Sequence, residues 1–199
     1  MKIEKSKKVG VFEKIALWWK FDGKYMHKEF ARGVKNLWRW FPTIWKDRDW
    51  DDSFIFEILR VKLEHQAKYI GGRGIHVSAK RDAEKMRLVA KLIQLQKDDF
   101  YSMEYMDYHN TEYDFVPTDE TEKWFRMEDT LISENFDDYF KKYPRQYKKV
   151  LSGELNRYGK EIDETDKQRI AMEIAHENQE RCRKLIFKIM SDEILHWWD

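Results

Sequence analysis

The sequence of 199 residues contains a single cysteine, Cys182, which excludes a disulfide bond within the chain. Chains without disulfides are typical of reducing compartments. The sequence also lacks any run of about 18 to 20 apolar residues, so no membrane span is expected. Its basic N-terminus is not followed by the apolar core of a secretory signal. These absences together predict a soluble protein of the cytoplasm.

Proline and glycine are scarce, at three and eight residues, and this scarcity favours helices over turns. The net charge is only +1, so nothing draws the whole chain toward nucleic acid, which is not a favoured partner. Charged residues of both signs nevertheless make up 38% of the chain, a level typical of disorder. Aromatic residues, at 16%, supply enough buriable surface to predict a folded core instead.

Charge is unevenly distributed along the chain. Residues 1–50 carry 13 lysines and arginines against six acidic residues, a net charge of +7, and residues 101–150 carry seven against 12, a net charge of -5. Oppositely charged parts of this kind are either solvated helix faces or surfaces for different partners.

The tryptophans are concentrated in the basic part, which holds six of the nine. Basic groups beside aromatic rings suit single-stranded nucleic acid, an anionic membrane surface or a protein interface. Tryptophans of a folded protein are more often part of its core. Two interpretations therefore stay open, core packing and an interaction surface that consists of Trp38, Arg39, Trp45, Arg48 and Trp50.

Apolar residues recur with a helical period in residues 9–20, 25–41, 52–70, 79–106 and 166–199. Pro42 is predicted to end the second of these helices because proline has no amide proton. The helices 52–70 and 79–106 are expected to pack antiparallel across a glycine turn. Residues 107–122 are predicted to form a polar loop, and residues 121–143 a weaker helix or two short ones.

No run of strict alternation is long enough to predict a sheet. The predicted fold class is therefore all-α, a helical bundle built on the antiparallel pair with a long C-terminal helix. Residues 1–199 would form a single domain with a basic, tryptophan-rich part (1–50), an acidic, loop-containing part (107–165) and the C-terminal helix (166–199). Trp197 and Trp198 are expected to be docked rather than exposed.

The stretch GGRGIHVS, residues 71–78, resembles a phosphate-binding loop only in its glycine content. It matches neither the P-loop nor the dinucleotide fingerprint, and a helix rather than a strand precedes it. The simplest interpretation is a turn in which glycine provides a left-handed helix cap. The alternative is an anion site at the start of the next helix, formed by Arg73, His76, Lys80 and Arg81.

The remaining polar patterns give little support for catalysis, and no catalytic residue, metal site or cofactor is predicted. Glu173–His176 and Glu193–His196 repeat a Glu-x-x-His spacing, but on one helix they would lie about 30 Å apart. Cys182 falls on an apolar stripe, where cysteine is usually inert. An enzymatic alternative would be a metal-dependent nucleotide hydrolase of the all-α type that uses Glu104 and Asp107 with Glu57 or Glu64.

Two stretches, FPTIWKDRDWDDSFIFEILRVKLEHQAKYI and AKRDAEKMRLVAKLIQLQKDDFYSMEYMDY, resemble small uncharacterised helical proteins of tailed bacteriophages. The resemblance covers residues 18–108 and the terminal Trp197–Trp198–Asp199. Its other marker residues are Trp45, Asp47, Arg48, Asp49, Trp50 and Asp51, with the Arg81–Asp82 pair. The resemblance implies the cytoplasm of an infected bacterium or a virion, and it carries no catalytic residue with it.

These patterns and the resemblance lead to three functional hypotheses. The first is a non-enzymatic, phage-encoded binding protein with a role in counter-defence, whose partner is a host protein or a small nucleotide. The second is the metal-dependent hydrolase. The third is a structural virion component that forms a homo-oligomer.

Overall fold

The computed structural model describes residues 10–21, 23–46, 53–118, 123–157, 159 and 162–198. The chain is mostly helical, with one two-stranded antiparallel sheet. It divides into two compact units, Met1–Phe54 and Ile55–Asp199. Within the described residues, no helix is both long enough and apolar enough to cross a bilayer.

Residues 10–46 of the first unit contain two helices, α1 (Val11–Phe21) and α2 (Met26–Ile44), with a 3-10 turn at Gly23–Tyr25 between them. The prediction that Pro42 ends the second helix is wrong, since α2 continues to Ile44. Pro42 lies in the last turn, where the absence of its amide removes only one helical hydrogen bond. The amide of Trp45 closes this turn by donating to the Phe41 carbonyl at 2.9 Å.

The second unit contains all but the first two residues of α3 (Ser53–Arg73), together with α4 (Ala79–Lys97). These helices run antiparallel, as the sequence predicts. Gly71 lies against Ala83 beside the turn, and Glu57 forms an ion pair with Lys97 at the opposite end. The α8 helix (Lys167–Glu193) and a terminal 3-10 turn complete a core that includes Leu63, Ala67, Ile70, Met86, Val89, Ile93, Ile186 and Trp197.

The helix predicted over residues 79–106 is interrupted. α4 ends at Lys97, and a single turn, α5 (Phe100–Met103), and a 3-10 segment follow. Asp99 adopts a left-handed conformation with φ 51°, which stops the helix. A long-range contact favours this break, because the side-chain amide of Gln179 on α8 donates to the Gln96 carbonyl at 3.0 Å and to Asp99 at 3.2 Å.

The all-α prediction is wrong for β1 (His109–Pro117) and β2 (Phe125–Glu134), which pair as antiparallel strands. Residues 109–117 of the expected polar loop and residues 125–134 of the expected weaker helix are therefore strands. Period-two alternation is present, with Tyr113 and Phe115 in β1 and Phe125, Met127 and Leu131 in β2, but each run is short. Cross-strand pairs such as Phe115 with Met127 stabilise strands that are otherwise mostly exposed.

Two short helices after the hairpin, α6 (Phe136–Lys142) and α7 (Pro144–Leu151), pack on the first half of α8. α6 is the only helical part of residues 121–143 within the described residues. Their shared cluster contains Phe136, Tyr139, Phe140, Val150, Ile170, Ala171 and Ile174. α8 begins as the sequence predicts, with the Asp166 carboxylate accepting a hydrogen bond from the Arg169 amide at 3.0 Å.

The glycine turn between α3 and α4 contains the left-handed helix cap that the sequence predicts. Gly74 has φ 58°, and its amide donates to the Ile70 carbonyl at 3.0 Å. Gly71 has a different role, because a Cβ atom at this position would lie 2.9 Å from the Cβ of Ala83. Gly71 therefore allows α3 and α4 to approach each other closely.

We expect Gly71→Ala to lower the free energy of unfolding by about 1 to 3 kcal/mol, because the added methyl group overpacks the contact with α4. Gly72→Ala is the matched control, since a Cβ there has nothing within 4 Å. That variant is expected to be neutral or more stable by up to about 1 kcal/mol, because alanine favours a helix. Urea unfolding of both proteins would measure the difference, and equal stabilities would contradict the close approach at Gly71.

Candidate ligand-binding groove

The predicted anion site at the start of α4 contains an internal carboxylate. Asp82 is fully buried, and it accepts hydrogen bonds from the Ser78 hydroxyl at 2.6 Å, from Nε2 of His76 at 3.0 Å and from Nε of Arg81 at 3.1 Å. Burial raises the pKa of Asp82, but these three hydrogen bonds outweigh it and hold the pKa at about 2. The ionised carboxylate lies in the first turn of α4, where the helix dipole favours a negative charge.

Three of the four residues predicted to bind an anion contact other side chains of the chain. His76 and Arg81 bind Asp82. Arg73 instead donates to the Tyr69 hydroxyl at 3.0 Å and lies 4.5 Å from the centre of that ring. Lys80 is exposed. Arg73 therefore has a different partner from His76 and Arg81. The carboxylate next to His76 and Arg81 is that of Asp82, which belongs to the chain itself.

Two acidic residues of the hydrolase alternative, Glu57 and Glu104, belong to separate ion-pair clusters. Glu57 binds Arg60 through contacts of 2.6 and 3.0 Å and also binds Lys97. The hydrogen bonds from Arg60, and then those from Lys97, lower the pKa of Glu57 to about 2 despite partial burial. Glu104 binds Lys142 and accepts a hydrogen bond from the Tyr143 hydroxyl at 2.6 Å. Among the described residues, no group of three or more His, Cys, Asp or Glu side chains could hold a metal ion.

The two Glu-x-x-His pairs of α8 also lie apart. Glu193 forms an ion pair with Lys85 of α4. Glu173 and His176 line a cavity of about 460 Å³ beside Glu177 and Glu180. Glu173 is buried and accepts a hydrogen bond from the Arg157 amide at 3.2 Å, so at this position the carboxylate helps hold the segment that precedes α8.

The predicted interaction surface is exposed where the structure describes it. Trp38 is 82% exposed, Trp45 is 74% exposed, and Arg39 is exposed beside them. Arg48 and Trp50 lie outside the described residues. The interpretation of these tryptophans as core residues is therefore wrong for Trp38 and Trp45.

A further candidate site is a groove of about 520 Å³ that runs along α8, which we call the α8 groove. Its lining combines apolar, aromatic, amide and basic side chains from α4, α5, α7, α8 and the residue before α7. These are Leu92, Tyr101, Tyr143, Gln146, Asn178, Arg181, Cys182, Lys184, Leu185 and Lys188. The volume lies within the range of roughly 300 to 1,000 Å³ that is typical of small-molecule sites.

The floor of the α8 groove is buried and mixed in polarity. Gln146 donates through its side-chain amide to Oδ1 of Asn178 at 3.2 Å, and both side chains are at least nine-tenths buried. Beside them, the Cys182 thiol donates to the Leu92 carbonyl at 3.5 Å. Burial raises the pKa of Cys182, so that the thiol stays neutral and packs as an apolar group.

The rim of the α8 groove is basic because Arg181, Lys184 and Lys188 recur at three- and four-residue spacing on one face of the helix. Lys184 and Lys188 form ion pairs with neighbours on the same helix, Glu180 at 3.4 Å and Asp192 at 3.2 Å, and both lysine side chains stay exposed. Arg181 has no carboxylate partner among the described residues, and the described lining contains no carboxylate. The groove therefore offers positive charge next to a sheltered floor, which suits an anionic ligand.

Comparisons of the chain with protein-family models, with curated proteins and with solved structures found no match. The function of the α8 groove must therefore be inferred from the chemistry of its own side chains. The similarity to bacteriophage proteins stays a prediction from the sequence.

The sequence interpretation missed the α8 groove because its residues come from distant parts of the chain, from Leu92 to Lys188. One signal was available. Arg181, Lys184 and Lys188 lie one helical turn apart on a helix whose opposite side is apolar. The buried amides Gln146 and Asn178 had no such signal, because only the packing of α7 on α8 places them together.

Proposed function

We propose that this chain is a non-enzymatic binding protein that takes a small anionic ligand of nucleotide size into the α8 groove. In the setting implied by the sequence resemblance, it would act in bacteriophage counter-defence by sequestering a nucleotide of the infected host. The observation that carries the proposal is that one groove of about 520 Å³ combines a buried floor of amide and apolar side chains with three cations at its rim.

The chemistry of the rim suits a phosphate group. The guanidinium of Arg181 can hold a phosphate through two parallel hydrogen bonds, and Lys184 and Lys188 add charge along the same line. The side chains of Tyr101 and Tyr143 line the same groove and offer aromatic surface to a base. The three cations are suited to the several charges of a di- or triphosphate.

The test is calorimetric titration of the purified protein with ATP, and separately with adenosine and with inorganic tripolyphosphate. ATP should bind most tightly, because it alone contacts both the basic rim and the floor. Arg181→Ala should weaken ATP binding at least about tenfold, since it removes a charge-assisted hydrogen bond worth more than about 1.4 kcal/mol. Leu185→Glu, which places a carboxylate in the groove, should weaken binding further.

Lys62→Ala is the matched control, because Lys62 is an exposed cation on α3 that does not line the groove. It should bind ATP like the unaltered protein. Failure of both ATP and tripolyphosphate to bind, or equal losses in the Arg181 and Lys62 variants, would refute the phosphate site. Chromatography of the nucleotide after the titration would detect turnover, and conversion of ATP to product would refute the non-enzymatic assignment.

A further inference from the structure

The first unit of the chain has an apolar surface without a core. Gly23 is its only buried residue within residues 10–21 and 23–46. Neither α1 nor α2 has a buried side chain, and the exposed apolar residues include Phe12, Trp19, Phe30, Leu37, Trp38 and Phe41. An apolar surface of this extent marks an interaction site, because water disfavours it.

The α2 helix separates apolar from basic residues onto opposite faces. Phe30, Val34, Leu37, Trp38 and Phe41 recur every three or four positions and form one continuous face. The opposite face carries Lys28, Arg32, Lys35 and Arg39, all of them exposed. This division is typical of helices that lie in a membrane interface with their apolar face among the acyl chains.

The α1 helix has an apolar face of its own. Val11, Phe12, Ile15, Trp18 and Trp19 lie on one side of it. The turn to α2 is tight, because a Cβ atom on Gly23 would approach the Trp19 ring to 2.7 Å. Tryptophan is enriched at membrane interfaces, where its ring is apolar and its N–H can reach polar headgroups.

The positive charge of residues 10–46 indicates which kind of partner surface would cover the apolar faces of α1 and α2. Residues 10–46 carry eight lysines and arginines against three acidic residues. Within the described residues, only Arg32 among these cations has an ion-pair partner, Glu29 at 3.0 Å. A second copy of the chain would bring two surfaces of the same positive sign together, whereas an anionic lipid surface complements the charge and accepts the apolar face.

We infer that α1 and α2 form a peripheral anchor that binds an anionic lipid bilayer, with both apolar faces inserted at the headgroup level. α2 is about 28 Å long and lies in the plane of the interface rather than across it. Its cations lie on the opposite face and reach the lipid phosphates because their side chains are long and flexible. The inference does not depend on what the α8 groove binds.

The test is flotation of the full chain with vesicles of phosphatidylglycerol and phosphatidylethanolamine, compared with vesicles of phosphatidylcholine alone. The protein should float with the anionic vesicles, and binding should weaken as salt is added. Trp38→Glu should abolish flotation. Changing Lys28, Lys35 and Arg39 together to glutamine should weaken it on the order of 100-fold, since each cation near an anionic surface contributes a factor of about five.

Trp124→Glu is the matched control, because Trp124 is also exposed, at 72%, but belongs to the second unit. It should float like the unaltered protein. The inference fails if the protein does not bind anionic vesicles, if it binds phosphatidylcholine equally well, or if the Trp38 and Trp124 variants lose binding alike. It also fails if Trp38→Glu converts an oligomer to a monomer without any vesicle binding, since a second copy would then cover the surface.

Discussion

Replacing Trp197 with alanine is expected to lower the free energy of unfolding by about 4 kcal/mol, the largest single-residue effect on stability expected in this chain. The side chain is 1% exposed and belongs to the core that α3, α4 and α8 share. It lies in the 3-10 turn that follows α8, so its loss opens a cavity at the end of the core. Neighbouring side chains can fill only part of the volume of an indole ring.

The change in stability would be measured by urea unfolding, with circular dichroism as the signal. Trp124→Ala is the control because Trp124 is 72% exposed, and it should change stability by less than about 0.5 kcal/mol. The nitrogen of the Trp197 indole has no hydrogen-bond partner within the described structure, so Trp197→Phe should cost much less than Trp197→Ala. Equal effects of the Trp197 and Trp124 alanine variants would show that the C-terminal turn is not docked.

Replacing Asp82 with alanine is expected to lower the free energy of unfolding by about 3 kcal/mol, because it removes one side of a buried charged network. Ser78, His76 and Arg81 all donate to this carboxylate, and the variant leaves these donors without their shared acceptor. Asp98→Ala, at the exposed C-terminal end of the same helix, is the control and should stay within about 0.5 kcal/mol.

The Asp82 network also predicts a specific dependence of stability on pH. The folded pKa of Asp82, about 2, lies below the ordinary value of an unfolded aspartate, about 3.9. A lowered pKa in the folded state contributes stability that is fully present above about pH 4 and is lost as the pH falls toward 2. The difference in stability between the unaltered protein and Asp82→Asn should therefore shrink over this range. A difference that stays constant would refute the lowered pKa.

Local signals in the sequence predict several elements correctly, and each signal acts within about one helical turn. Gly74 ends α3 because glycine adopts the left-handed conformation at little cost. Asp166 starts α8 because its carboxylate binds a free amide of the first turn. The helical period over 52–70 predicts the buried positions Leu63, Ala67 and Ile70.

The errors of the sequence interpretation occur where distant residues compete with local preference. Residues 125–134 contain apolar and charged residues that suit a weak helix, but pairing with β1 makes them a strand. The predicted long helix over 79–106 breaks at Asp99, where Gln179 from α8 donates to the partly buried carbonyl of Gln96. Neither partner is visible from the local sequence.

The helical character of this protein, the antiparallel pair of α3 and α4 and the amphipathic pattern of α2 all follow from the amino-acid sequence, since each depends on the spacing of apolar residues and on caps within a turn. Which of these faces are buried depends on the folded chain. In the folded chain, the Asp82 carboxylate accepts hydrogen bonds from His76 and Arg81, and the Gln146 side chain donates to Asn178 in the floor of the α8 groove. Folding also leaves Trp38 exposed. The sequence determines which face of a helix is apolar, because that depends on the local spacing of residues. The element that covers the face is decided by the tertiary structure, because it depends on packing between distant parts of the chain.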